Sequence, residues 1–217
     1  MSKFYVLVEG HGEVQAVQNL VVRVSHDCGC FYPWSNPLRW QNLHQWESRS
    51  GQGGVLKGIN FIRSKQDVGG LLILRDEDDA CPRDMAPEMA ARLRKLKLPF
   101  PVAYVLLHPE YEVLFLPCLE QMTGEFPDGR PGLENGTVWD GATWEARRGI
   151  KEWLGKHFPP GRSYKPTMDQ AIITRKIDLE VLRDSDVPCF GSLERAIQML
   201  CERIGSAGFV YPCRAAK

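Results

Sequence analysis

The 217-residue chain lacks the features that mark several large classes of protein. No apolar run approaches the roughly 20 residues that cross a bilayer, so we expect no membrane association. Lys plus Arg and Asp plus Glu both number 27, so there is no net charge. Nucleic-acid binding would therefore depend on a local basic patch, on metal ions or on a partner subunit. The absence of a P-loop and of a GxGxxG motif argues against other phosphotransfer or nucleotide-binding enzymes of related α/β folds.

The chain also lacks the cysteine pattern of a small secreted protein. Its seven cysteines are odd in number and scattered, whereas a disulfide framework is dense and even. The first residues reach an acidic side chain too soon to contain the apolar core of a signal peptide. We therefore expect a cytoplasmic protein. His26, Cys28 and Cys30 have no second ligand pair at a matching spacing, so we do not predict a zinc site.

Hydrophobic segments in the first half alternate between two patterns. Continuous apolar runs at Phe4–Val8, Gly70–Leu74 and Val102–Leu107 are typical of buried parallel strands. Helical spacing of apolar residues predicts helices between and after them. These predicted helices cover 13–24, 55–63, about 85–96 and 111–122. The alternation predicts an α/β fold, with a small parallel sheet flanked by helices and right-handed crossovers.

The second half is richer in loops. We divide the chain into an α/β core at 1–122 and a loop-rich, helical C-terminal extension at 123–217 that packs on the core. Within the core, we predict a weak edge strand near Cys30–Trp34 and a mobile loop over 35–53. In the extension, we predict helices at about 143–157, 171–182 and 192–204.

Side chains that can bind a metal or transfer a proton follow each of the three predicted strands. Glu9 follows the first, Asp76 and Asp78 follow the second, and His108 follows the third. Ligands of open parallel sheets bind outside the carboxyl ends of the strands, so these groups should share one edge. Asp76 and Asp78 are alternate residues, so their side chains can point the same way in an extended segment. Crowded carboxylates suit Mg²⁺ or Mn²⁺, and we predict that Glu9, Asp76 and Asp78 bind this metal.

Further residues are candidates for the same edge. Glu13 would lie in the opening turn of the first helix, and Asp79, Glu110 and Glu112 extend the acidic set. An acidic run within a loop is often only solvated surface, and that reading applies to residues 75–79 taken alone. His108 is a candidate general base or a helix-entry residue, and Lys165 is a candidate phosphate ligand or a surface charge.

Two motifs resemble those of the Toprim domain, which occurs in type IA topoisomerases, primases, RecR-like proteins and OLD-family nucleases. They are LVEGHGE at 7–13 and LILRDEDD at 72–79. HPEYE at 108–112 and YKP at 164–166 are similar to segments of bacterial Toprim-like proteins grouped as domain of unknown function family 4276. The Toprim resemblance covers about 1–122 and implies a Toprim-like Rossmannoid core.

The resemblance implies Mg²⁺-dependent phosphodiester chemistry. Carried over to this chain, Glu9 is a general acid/base or metal ligand, and Asp76 and Asp78 are metal ligands. No second domain supplies the nucleophilic tyrosine of a topoisomerase, so we predict a hydrolytic nuclease acting on DNA or RNA, with Glu9 and His108 as catalytic residues. The resemblance further implies a bacterial defence or mobile-element module with an AAA-type ATPase partner, and a homo-oligomer stays open. The alternative is a non-catalytic Toprim module that binds a partner or nucleic acid.

Overall fold

The computed structural model describes residues 2–146 and 148–213. Five parallel strands form one sheet in the order β2-β1-β3-β4-β5, which confirms the predicted α/β fold. The strands are β1 (Lys3–Val8), β2 (Leu38–Arg39), β3 (Val68–Asp76), β4 (Val102–Leu107) and β5 (Val210–Tyr211). β2 lies on one side of β1 in the sheet, and β3, β4 and β5 lie on the other side. The strand order therefore reverses between β1 and β3, and open α/β sheets bind ligands at such a switch point.

Helices cover both faces of this sheet. Phe4, Val6 and Val8 face a core that includes α1 (Glu13–Asp27) and α7 (Pro188–Glu202). Tyr5 and Leu7 face a core that includes α2 (Val55–Arg63) and α3 (Pro82–Lys95). None of the helices in 2–146 and 148–213 is long and apolar enough to cross a membrane. The helices are α1 (Glu13–Asp27), α2 (Val55–Arg63), α3 (Pro82–Lys95), a 3₁₀-helix (Tyr111–Met122), α4 (Ile150–Lys156), a π-helical turn (Pro166–Gln170), α5 (Ala171–Lys176), α6 (Leu179–Asp184) and α7 (Pro188–Glu202).

Residues after 122 contribute directly to the sheet. β5 pairs with β4, with Val210 opposite Val102, and α7 packs against β4, β3 and α1. A disulfide joins Cys30 to Cys201 in α7. The sheet thus draws on both predicted parts of the chain, although the boundary at residue 122 stays a prediction.

Several predicted elements differ from the structure. The edge strand β2 lies inside the predicted loop, and near Cys30–Trp34 only an isolated bridge from Trp34 to Phe4 is found in the described chain. The helix predicted at 171–182 is two helices, because the Asp178 side chain accepts the first backbone N–H groups of α6 and so starts a new helix. The helix predicted from residue 143 begins only at Ile150.

Candidate functional site

The carboxyl ends of three neighbouring strands bring acid–base side chains to one edge of the sheet. β1 runs into Glu9, β3 ends at Asp76, and β4 is followed by His108. β1 and β3 are paired, with Leu7 opposite Ile73, so the ends of these two strands meet at the switch point of the sheet. The site described below is built on this edge.

A tight turn after β1 folds Glu13 back toward the edge. A Cβ at Gly10 would lie 2.4 Å from Glu13 Oε1, so a larger residue at position 10 would displace this carboxylate. The backbone N–H of Glu9 donates to Glu13 Oε2 at 3.3 Å. Glu13 is buried. Burial, reinforced by the charge of Asp76, raises the pKa of Glu13 to about 7.

Lys151, in the first turn of α4, lies among three carboxylates. Its Nζ is 3.2 Å from Asp76 Oδ2, 3.5 Å from Glu110 Oε2 and 3.5 Å from Glu112 Oε2. Together with Glu13, these three residues form what we call the acidic cluster. Burial opposes the charge of Lys151, but the carboxylates outweigh it and raise the pKa of the ammonium well above its usual value. One ammonium cannot neutralise four carboxylates, so the cluster retains excess negative charge or bound protons.

Backbone groups fix the orientation of two acids in the cluster. The N–H of Tyr111 donates to Asp76 Oδ1 at 2.8 Å, and the N–H of Gly149 donates to Glu110 Oε1 at 3.0 Å. Burial raises the pKa of Asp76 to about 6, although the nearby charge of Lys151 acts in the opposite direction. Asp76 therefore takes up a proton more readily than a free aspartate, and its ionised form favours a nearby cation.

Glu112 is the most deeply buried acid of the cluster. Its Oε1 accepts hydrogen bonds from the Tyr164 hydroxyl at 2.7 Å and from Gln170 Nε2 at 3.1 Å. Its Oε2 is buried and makes no hydrogen bond within the described part of the chain. The Lys151 ammonium, 3.5 Å away, forms an ion pair with this oxygen. Burial raises the pKa of Glu112 to about 8. This oxygen is a lone-pair donor that a further cation could use.

Glu9 is bound by a different part of the chain, the segment 40–54. The backbone N–H of Leu43 donates to Glu9 Oε1 at 2.6 Å, and His44 Nδ1 lies 3.7 Å from the same oxygen. Arg39 Nε donates to the Glu9 backbone oxygen at 3.2 Å. The Glu9 carboxylate is thus oriented by a segment that the sequence did not link to it.

The acidic run after β3 divides between two environments. Glu77 is buried and pairs with Arg75, on the side of the strand away from Asp76. Asp78 is exposed. Asp79 is also exposed and forms an ion pair of 2.5 Å with Arg148. Alternation along the strand separates Asp76 from Glu77, whereas the turn after β3 leaves Asp78 at the surface.

His108 and Lys165 were also predicted as site residues. His108 Nδ1 lies 2.6 Å from the backbone oxygen of Glu77, which holds the imidazole at the strand end. Lys165 has an exposed side chain, and its backbone N–H donates to Asp169 Oδ2 at 2.8 Å. It is the preceding residue, Tyr164, that reaches the acidic cluster.

Across 2–146 and 148–213, no three His, Cys, Asp or Glu side chains stand where they could hold a metal ion. Glu9, Asp76 and Asp78 therefore do not form a preassembled triad. Their present partners explain this: Asp76 contacts Lys151, and Glu9 contacts Leu43. Metal binding by the three predicted ligands stays a prediction.

Sequence reasoning missed Lys151 and Gln170, and it gave Tyr164, the first residue of the YKP segment, no role at the site. Lys151 is 75 positions from Asp76, and Gln170 is 58 positions from Glu112, so no local pattern joins these pairs. The available signal was weak, because Lys151 lies in the middle of the predicted helix at 143–157 and not in its first turn, where the structure places it.

A family comparison supports one part of the expected kinship. The family model described as "Domain of unknown function (DUF4276)" matches residues 8–198. The chain belongs to this family. No curated protein and no solved structure matches it significantly. The match spans both the acidic cluster and the segment 40–54, so the site lies within the region that defines the DUF4276 family.

Proposed function

We propose that this protein is a Toprim-like nuclease that hydrolyses phosphodiester bonds with Mg²⁺ or Mn²⁺. The observation that carries the proposal is the acidic cluster at the switch point of the sheet. Four carboxylates there meet one ammonium. Buried carboxylates repel one another until cations neutralise them, and phosphodiester cleavage by metal ions uses such oxygen-rich sites.

The chemistry of the donor set fits a hard divalent cation. Carboxylate oxygens are the ligands that Mg²⁺ and Mn²⁺ prefer. Glu9, Asp76 and Asp78 are the motif ligands, and Glu112 Oε2, which makes no hydrogen bond among the described residues, supplies a further oxygen. When bound, the ion would polarise a phosphate oxygen and acidify a water molecule.

The residues of the chain have separate tasks in this proposal. Glu13, with a pKa raised to about 7, is suited to accept a proton from the attacking water at neutral pH. Lys151 presents a charged ammonium that can donate to a non-bridging phosphate oxygen. His108, held at the end of β4, is the candidate for the second proton transfer.

The remaining expectations are part of the same proposal. The substrate is a nucleic acid. An AAA-type ATPase, which the resemblance implies, is the partner that contributes to nucleic-acid binding, and the zero net charge of the chain is consistent with such a contribution. A cytoplasmic bacterial defence or mobile-element module is the setting that the Toprim resemblance implies.

One observation favours a second candidate function, a non-catalytic Toprim module that binds a partner or nucleic acid. Lys151 already provides a counter-charge for Asp76, Glu110 and Glu112. A cluster that is partly neutralised by a lysine can persist without a metal ion, as a scaffold would require.

Cleavage assays on single-stranded DNA, duplex DNA and RNA, with Mg²⁺ or Mn²⁺, separate these candidates. We expect cutting by the wild-type protein and a loss of at least about a hundredfold in Glu13→Gln and in Asp76→Asn, the scale of general acid–base and electrostatic catalysis. Asp184→Asn, which changes an exposed carboxylate of α6, is the matched control and should cut normally.

Two results would reject the nuclease proposal. Cutting that survives in Asp76→Asn would place the activity elsewhere. Absence of cutting by the wild-type protein, with and without a co-encoded ATPase, would favour the scaffold.

A further inference from the structure

The geometry points to Tyr104 as a positioning residue that fixes the Glu9 carboxylate through the backbone of Leu43. The inference rests on the proposed function, because it names a group that prepares one predicted metal ligand of that site. Tyr104 lies on β4 and is fully buried. Among residues 2–146 and 148–213, Tyr104 makes no hydrogen bond to Lys151 or to Glu9, so its effect passes through another residue.

Two hydrogen bonds in series connect Tyr104 to Glu9. The Tyr104 hydroxyl donates to the backbone oxygen of Leu43 at 3.0 Å, and the backbone N–H of Leu43 donates to Glu9 Oε1 at 2.6 Å. Leu43 is fully buried, so water has little access to replace either bond. The position of the Leu43 backbone therefore decides where the Glu9 carboxylate points.

Arg75 holds the other side of the Tyr104 hydroxyl. Its Nε donates to Tyr104 Oη at 2.8 Å, and its guanidinium pairs with the buried Glu77. Glu77 Oε1 accepts the backbone N–H groups of Asp79 at 3.2 Å and Ala80 at 2.9 Å. The same buried network thus shapes the turn after Asp76 and, through Tyr104, the segment that contacts Glu9.

The two ends of the segment 40–54 are hydrogen-bonded to each other, and Leu43, between them, is its buried anchor residue. The N–H of Gly54 donates to the oxygen of Gln41 at 2.9 Å, and Trp40 Nε1 donates to the oxygen of Gly54 at 3.0 Å. The two ends of the segment are therefore joined. Between them, Leu43 inserts its side chain into the core that contains Tyr104. His44 follows Leu43 directly, so the anchor also sets the imidazole beside Glu9.

Tyr104→Phe removes the hydroxyl and keeps the ring. Tyr5→Phe is the matched control, because the Tyr5 hydroxyl donates to Asp67 at the opposite end of the sheet, just before β3 begins. We expect the Leu43 amide to exchange with deuterium about tenfold faster in Tyr104→Phe, relative to amides of β4, and at the wild-type rate in Tyr5→Phe. An unchanged Leu43 exchange rate in Tyr104→Phe would overturn the inference.

A double-mutant cycle tests whether Tyr104 acts through Glu9. We expect Tyr104→Phe and Glu9→Gln each to weaken Mn²⁺ binding about tenfold or more, and the double variant to bind no more weakly than Glu9→Gln alone. If Tyr104 had only a structural role, the losses of Mn²⁺ affinity in the two single variants would multiply in the double variant. That result would contradict the positioning role. If the wild-type protein binds no Mn²⁺, the proposed function fails, whereas the exchange measurement still decides whether Tyr104 orders the segment.

Discussion

Replacing Lys151 with methionine removes the ammonium that contacts Asp76, Glu110 and Glu112 and keeps much of the aliphatic volume. Breaking a buried ion pair from one side destabilises a protein by roughly 3–5 kcal/mol. The Lys151 side chain is 34% exposed, so water screens part of this effect. We therefore expect a loss of about 2–3 kcal/mol in the free energy of unfolding at pH 8.

This loss should depend on both pH and metal. At pH 5 the carboxylates take up protons more easily, so the same substitution should destabilise the protein less. A divalent cation that replaces the ammonium should stabilise Lys151→Met by about 2.7 kcal/mol at a hundred times the dissociation constant of that variant. At the same concentration it should stabilise the wild-type protein less. Urea unfolding at pH 5 and pH 8, with and without Mg²⁺, measures all of these quantities.

Lys156→Met, at the other end of α4, is the matched control and should behave like the wild-type protein. Equal stability of Lys151→Met and wild type at pH 8, or an equal loss at both pH values, would show that the ammonium does not neutralise the cluster.

Three further predictions concern single positions of the site. Folding raises the pKa of Glu112 from 4.5 to about 8, so between these pH values the folded chain keeps a proton that the unfolded chain loses. The free energy of unfolding should therefore fall as the pH rises from 4.5 to about 8. Urea unfolding of Glu112→Gln should show a weaker fall over the same pH range. Metal binding must displace the proton of Glu13, so calorimetry should find Mg²⁺ affinity rising between pH 6 and pH 8, and a flat profile would refute this. Gly10→Ala should weaken Mn²⁺ binding with little effect on thermal stability, because the new Cβ would meet the Glu13 carboxylate, which can move. Gly12→Ala should lower the melting temperature more, because its Cβ would lie 2.7 Å from the backbone oxygen of Pro166, which cannot move easily.

The parts of the fold that follow from local patterns were predictable. β4 at Val102–Leu107 and α2 at Val55–Arg63 have the predicted bounds, because continuous apolar runs and helical apolar spacing dictate them. β2 and β5 have two residues each, which is too short for a periodic signal, and tertiary pairing defines them.

The candidate site was predictable at its acids and not at their partners. The end of the apolar run of β3 predicts that Asp76 lies at the carboxyl edge of the sheet, because parallel strands align their carboxyl ends. Lys151 contacts Asp76, and Tyr104 is linked to Glu9 through Leu43, in both cases between distant parts of the chain. Asp78 shows where a local pattern is not enough. Its spacing from Asp76 predicts that both side chains point the same way, yet the turn after β3 leaves the Asp78 side chain exposed.

Titration of Mn²⁺, followed by electron paramagnetic resonance, tests most directly whether the acidic cluster is a divalent-metal site. We predict saturable binding by the wild-type protein and by Asp184→Asn, and its loss in the double variant Glu13→Gln/Asp76→Asn. Binding of equal affinity in the double variant, or no binding by the wild-type protein, would contradict the account.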